Sequence, residues 1–93
     1  MDTQNNILAY NGKNSLEFTG RRVVVGAKQL KKALRNGLVR QVFIACNADP
    51  AITEPIEAYC KDNQVTYAWV KSMTDLGRAC GIEVGAATAG VVD

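Results

Sequence analysis

Residues 23–35 have the sequence VVVGAKQLKKALR, in which a short apolar run is followed by a glycine and then by a helical pattern. The β-branched run at 23–25 predicts a short buried strand that ends at Gly26. From Ala27 onward, apolar residues recur at the three- and four-residue spacing of an amphipathic helix, and Gly37 is placed to end that helix. This stretch therefore predicts a strand joined directly to a helix.

The rest of the chain repeats this alternation of strand and helix. Apolar runs at 42–46, 65–70 and 85–92 predict three further strands. Helical patterns lie between them, and we expect Thr53 to cap the second helix and Ser72 to cap the third. This order predicts an α/β fold in which helices cover both faces of one sheet.

Length and composition favour one small domain. The chain has 93 residues, of which 47% are hydrophobic and 22% are charged, an ordinary balance for a globular protein. Residues 1–20 are polar, rich in asparagine and broken by glycines, so we expect a flexible arm. Residues 21–93 are expected to form the single domain.

The sequence does not have the features of a membrane, secreted or metal-binding protein. No apolar run approaches the roughly 20 residues of a membrane span, and the N-terminus lacks a signal-peptide pattern. The three cysteines are widely spaced and the chain has no histidine. We therefore expect a cytoplasmic protein with free thiols, no metal and no cofactor.

The net charge of +2 conceals an uneven distribution of charge. Residues 21–40 contain no acid, whereas residues 41–70 contain four acids and one lysine. Such a division predicts one positive surface suited to a polyanion. The basic residues of the first block are Arg21, Arg22, Lys28, Lys31, Lys32, Arg35 and Arg40.

The basic residues of the first helix gather opposite its apolar stripe. Lys28 and Gln29 stand at its N-terminus, where free N–H groups and the helix dipole favour a phosphate. Lysine and glutamine side chains can also bond base edges, and Lys32 and Arg35 extend the same surface. The alternative is an ordinary solvated helix face; the absence of any acid among seven basic residues makes nucleic-acid binding an equal alternative, and charge alone leaves both open.

A glycine-bounded loop, GIEVG at residues 81–85, is the second candidate site. Ile82 and Val84 could point outward and contact an unstacked base, as in sequence-specific RNA recognition. The residues alone favour the alternative, in which both side chains point into the core.

Catalytic interpretations find little support. The chain has no histidine for a catalytic triad and no phosphate-binding G-x-x-x-x-G-K motif. Cys80 has no neighbouring base that would activate it. We therefore expect a protein that is not an enzyme.

Three separated segments resemble the L7Ae/L30e family of ribosomal proteins. They are VVVGAKQ with the following KKAL, IAxxADP at 44–50, and SxxxLGRACGIEVGAA at 72–87. The resemblance is greatest to short bacterial members. It implies a three-layer α/β/α sandwich with a mixed four-stranded sheet, which binds kink-turn RNA, a sharply bent internal loop with sheared G·A pairs.

The resemblance also implies the first half of an RNA site. The family's strand-to-helix glycine corresponds to Gly26, and its guanine-reading residues and following lysine correspond to Lys28, Gln29 and Lys32. Lys28 replaces an asparagine and Gln29 a glutamate, so guanine readout must differ. Ala27 stands where many members have a threonine and loses a hydroxyl donor.

The other half of the implied site is the late loop. The family's segment that holds an extruded nucleotide corresponds to Ile82, Glu83 and Val84. The resemblance therefore reverses the preference for a core position at Ile82 and Val84.

Together these features predict a monomeric, ribosomal-protein-like RNA-binding domain that stabilises a kink-turn or related bent RNA. Its target would be ribosomal RNA, a riboswitch or another non-coding RNA, within a ribonucleoprotein. The alternative is a protein-interaction module of the same fold, acting in regulation or stress response without RNA. The basic block at 21–40 argues against that alternative, because such relatives are generally acidic there.

Overall fold

The structure, a computed structural model, describes residues 22–92. They form four strands and three helices in strict alternation, which confirms the predicted α/β fold class. The expected arm at 1–20 lies outside the described residues. The elements are β1 (Arg22–Val25), α1 (Ala27–Arg35), β2 (Val39–Ala45), α2 (Pro50–Asp62), β3 (Tyr67–Val70), α3 (Met73–Cys80) and β4 (Thr88–Val92).

The four strands form one mixed sheet in the order β1-β4-β2-β3. The last strand, β4, lies between β1 and β2 and is antiparallel to both, whereas β2 and β3 are parallel. Because Val25 pairs with Ala89, the end of β1 lies beside the beginning of β4. This register places the β1–α1 junction next to the segment that leads into β4.

Each face of the sheet has its own buried cluster, so the fold has three layers. Neighbouring residues of β2 point to opposite faces, as the two-residue period of a strand requires. The cluster under α1 and α2 contains Leu30, Leu34, Val42, Ile44, Ile56, Cys60 and Tyr67. The cluster under α3 contains Phe43, Ala45, Ala48, Ala68, Val70, Leu76, Ala86, Ala89 and Val91.

The second helix begins one turn earlier than the sequence predicted. Asp49 is its cap, since the Asp49 carboxylate accepts a hydrogen bond of 2.9 Å from Ala51 N. Pro50 in the first turn suits this start, because an early N–H has no partner in the helix. The prediction that Thr53 caps the helix was wrong, and Thr53 is buried inside it. Ser72 caps α3 as predicted, accepting from Asp75 N at 3.1 Å.

The last strand begins later than predicted, at Thr88 rather than Gly85. Residues 85–87 instead cross the end of the sheet: Ala86 N donates to Met73 O at 3.0 Å, and Ala45 N donates to Ala87 O at 2.9 Å. This segment therefore connects the start of α3 to the end of β2.

Gly77 allows the loop after α3 to fold back against the helix. A Cβ atom at Gly77 would collide with the backbone oxygen of Val84, and one at Gly85 would stand 3.0 Å from the Met73 Cβ. The shape of the 81–85 loop therefore depends on the absence of a side chain at Gly77.

We predict that Gly77→Ala lowers the free energy of unfolding by about 1–3 kcal/mol, the usual cost of overpacking. In an ordinary helix interior the same change stabilises by about 1 kcal/mol. Chemical denaturation measures the effect, and amide spectra should show shifts at residues 82–85. Thr74→Ala, at an exposed position of α3, is the control. A more stable Gly77→Ala protein with unchanged loop resonances would contradict the close contact.

Candidate nucleic-acid interface

The N-terminus of α1 is open at the surface. Gly26 joins β1 to α1 with φ 94° and ψ 151°, a backbone conformation that residues with a side chain rarely adopt. No side chain of residues 22–92 caps this helix, and its first turn contains no acid. The positive end of the helix dipole is therefore available to an anion.

The exposed side of α1 is basic, as predicted. Lys28, Gln29 and Lys32 are all exposed, while Leu30 and Leu34 are buried against the sheet. No ion pair joins Lys28 or Lys32 to another residue of the described range. Within residues 22–92, nothing neutralises these two charges, which suit a phosphate or a base edge.

Arg35 lies apart from the other predicted contacts on α1. It belongs to the last turn of the helix and lines a groove between α1 and α2, together with Tyr59 and Pro55. Helices rise about 1.5 Å per residue, so Arg35 stands about 10 Å along the axis from Lys28. The structure therefore brings Lys28, Gln29 and Lys32 together at one end of the helix and leaves Arg35 at the other.

The late loop separates its two apolar residues. Gly81 ends α3 in the left-handed conformation with φ 79°, and the chain then turns through Ile82, Glu83 and Val84. Val84 is 70% exposed, whereas Ile82 is half-buried against the α3-face cluster. Val84 therefore points outward, whereas Ile82 is partly exposed and also packs on the core, so its contact with RNA stays a prediction.

The pairing of β1 with β4 joins the start of α1 to the segment that follows the late loop. Gly26 N donates a hydrogen bond of 3.0 Å to Thr88 O, and Thr88 begins β4 immediately after the loop segment. The half-buried Ala27 opens α1 at the same edge of the sheet. The N-terminus of α1 and the segment that follows the late loop therefore meet at one end of the sheet.

Sequence analysis missed the residues that support this edge. Asn47, in the turn after β2, accepts a hydrogen bond of 2.8 Å from Met73 N through its side-chain oxygen. This bond ties the β2–α2 turn to the first turn of α3, on which Gly85 also packs. An isolated glycine within a helical pattern, as at Gly77, was the available signal for close backbone approach.

The described cysteines and acids do not gather into a metal-binding cluster. Burial raises the pKa of the Cys80 thiol, which is the opposite of the shift that activates a nucleophilic cysteine. Cys46, Cys60 and Cys80 are free, and no group of three or more potential metal ligands occurs within 22–92. Among these residues no helix is both long and apolar enough to cross a bilayer.

Comparison with curated proteins finds short bacterial relatives over most of the chain. An RNA-binding protein of Caldanaerobacter subterraneus subsp. tengcongensis is 46% identical over 66 residues, which cover 71% of this chain and 80% of that protein. An RNA-binding protein of Bacillus pumilus is 40% identical, covering 75% and 85%. The RNA-binding protein YbxF of Geobacillus stearothermophilus is 38% identical, covering 76% and 87%.

Solved structures include close matches to the fold. The 15.5kD RNA-binding protein of Giardia lamblia superposes with a TM-score of 0.71 at 32% identity. The match covers 76% of this chain but only 60% of the Giardia chain. A protein of unknown function from Bacillus halodurans superposes with a TM-score of 0.74 at 28% identity, covering 85% and 79%.

A family model matches residues 10–93 and so extends into the segment expected to be an arm. Together with the relatives above, it confirms the resemblance and, with it, the three-layer sandwich. The chain belongs to the ribosomal protein L7Ae/L30e/S12e/Gadd45 family.

Proposed function

We propose that this protein binds a kink-turn or similarly bent internal-loop RNA and stabilises its bent form. The observation that carries the proposal is the N-terminus of α1, which has no side-chain cap and no acid in its first turn and carries the exposed Lys28, Gln29 and Lys32. Relatives named as RNA-binding proteins support the choice of RNA as the ligand.

The basic end of α1 would bind the bent backbone and the edges of its bases. Lys28 and the free N–H groups of the first helical turn suit a phosphate, since both supply positive charge without a competing acid. The Gln29 amide can donate to and accept from a base edge, and Lys32 lies one turn further along. These contacts are available in the bent RNA, because the bend brings the phosphate backbone and the base edges to one site. Their binding free energy therefore stabilises the bent form.

The late loop would hold a nucleotide that the bend extrudes. Val84 presents an exposed apolar surface, and Glu83 is exposed beside it. Ile82 would act indirectly, by keeping the loop against the core. Binding of this kind requires no chemical step, so we propose a binding protein rather than an enzyme.

The proposed setting is a cytoplasmic ribonucleoprotein that contains ribosomal RNA, a riboswitch or another non-coding RNA. A protein-interaction module of the same fold is the alternative. The exposed lysines of α1, with no acid in the first turn, favour RNA because such a surface suits a polyanion.

The direct test of this function is the shape of the RNA. A kink-turn RNA labelled at its two ends should show increased energy transfer as protein is added, because binding shortens the end-to-end distance. The control is an RNA of equal length whose G·A pairs are replaced by Watson–Crick pairs, which should stay extended. Saturable binding without any change in energy transfer would contradict stabilisation of the bend.

Lys32→Ala should weaken kink-turn binding by about 1–3 kcal/mol if Lys32 reaches a base, and by less if it contacts only a phosphate. Its melting temperature should match the wild type, because the side chain is exposed. The matched control is Lys61→Ala, which removes the same charge from the exposed side of α2. Equal effects of both substitutions would show that only net charge matters.

Val84→Asp should weaken binding to a kink-turn RNA whose extruded nucleotide is intact. It should weaken binding much less when that nucleotide is abasic. The lost contact is apolar burial against a base, at the lower end of the about 1–3 kcal/mol found for aromatic stacking. Because Val84 is 70% exposed, a carboxylate there stays hydrated and the melting temperature should hardly change. Equal losses on both RNAs would remove Val84 from the site.

A further inference from the structure

A groove of about 190 Å³ runs between α1 and α2 and belongs to neither candidate site above. The two helices pack on the same face of the sheet, and each follows a strand, β1 or β2, that runs antiparallel to the β4 strand between them. The buried Leu34 and Ile56 form the bottom of the groove. The lining residues are Lys31, Leu34, Arg35, Pro55, Ile56 and Tyr59.

Tyr59 fixes the separation of the two helices. Its hydroxyl donates a hydrogen bond of 3.3 Å to Leu34 O, one of the last carbonyls of α1. The ring is half-buried and lies along the groove beside Pro55. An aromatic ring and a proline ring therefore border an apolar floor.

The α1 side of the groove carries positive charges that no acidic residue of the described range neutralises. Lys31 and Arg35 are exposed, and neither makes an ion pair with a residue of the described range. None of the lining residues is acidic, and Glu57 of α2 instead bonds to Tyr67 and Lys61. The groove thus combines apolar and aromatic surface with two free cations.

This combination matches a nucleotide. Bases stack on aromatic side chains without sequence preference, and lysine and arginine bind the phosphates that flank them. The lysines at the N-terminus of α1 extend this positively charged surface. Leu34, which lines the groove, lies only about 9 Å along the helix axis from Lys28. A strand that leaves the N-terminal site can therefore follow the basic side of α1 into the groove.

We propose that the α1–α2 groove binds one unpaired nucleotide of the RNA that the α1 N-terminus holds. The base lies against Tyr59 and the apolar floor, and its phosphate lies between Lys31 and Arg35. This inference rests on the proposed function and adds a second, single-stranded contact to it.

The test compares a blunt-ended kink-turn RNA with versions that carry a three-uridine extension on each helix end in turn. One extension should tighten binding about tenfold, equal to about 1.4 kcal/mol. Tyr59→Leu should abolish this gain, whereas Tyr59→Phe, which keeps the ring, should retain it. Lys31→Gln should reduce the gain severalfold, and the matched Lys61→Gln should not. Because Lys31 is exposed, that variant tests the groove even if a Tyr59 substitution impairs folding.

A second titration separates this inference from the proposed function. Single-stranded tetrauridine, added to the isotopically labelled protein, should shift the methyl resonances of Leu34 and Ile56. If blunt RNA binds well but no extension tightens binding and no methyl resonance shifts, the nucleotide site in the groove is ruled out and the proposed function stands. The groove would then fit an acidic protein segment instead. Methyl shifts without kink-turn binding would instead overturn the proposed function and retain the groove as a nucleotide site.

Discussion

The hydrogen bond from Gly26 N to Thr88 O joins the two parts of the candidate interface. It is the last bond of the antiparallel pairing between β1 and β4, and it lies where β1 ends and β4 begins. Because α1 starts directly after Gly26 and the late loop is followed by residues 86–87 and then Thr88, this pairing brings the helix N-terminus and the segment after the late loop to the same end of the sheet. If the strands paired in another register, the lysines of α1 and Val84 would face different surroundings.

Two glycines make this edge possible, each for a different reason. Gly26 has a positive φ, which lets the chain turn from strand to helix without a linker and leaves the helix N-terminus uncapped. Gly77 has no such requirement and is needed for space, since Val84 O occupies the position of its absent side chain. The first glycine thus leaves the helix N-terminus accessible to an anion, and the second allows the late loop to pack against α3.

Local patterns predicted much of this structure, and long-range contacts account for what they missed. The alternation of elements and the two faces of α1 follow from the spacing of apolar residues, which neighbours along the chain determine. The position of β4 between β1 and β2 depends on pairing between distant segments, and only the family resemblance suggested a mixed sheet. Thr53 was misjudged because Asp49 offered an equally good cap one turn earlier. The partial burial of Ile82 depends on contact with the α3-face cluster, which no local pattern shows. The groove at Tyr59 lies between two helices, and local sequence patterns predict each helix but not the contact between them.

The central claim is that the start of α1 and the late loop contact one RNA together. Amide chemical shifts of the isotopically labelled protein, titrated with a blunt-ended kink-turn RNA, test it most directly. The account predicts that the perturbed amides fall at residues 26–32 and 82–85, that both groups shift with the same affinity, and that they saturate at one protein per RNA. Perturbation of only one group, or of the outer side of α3 instead, would contradict it.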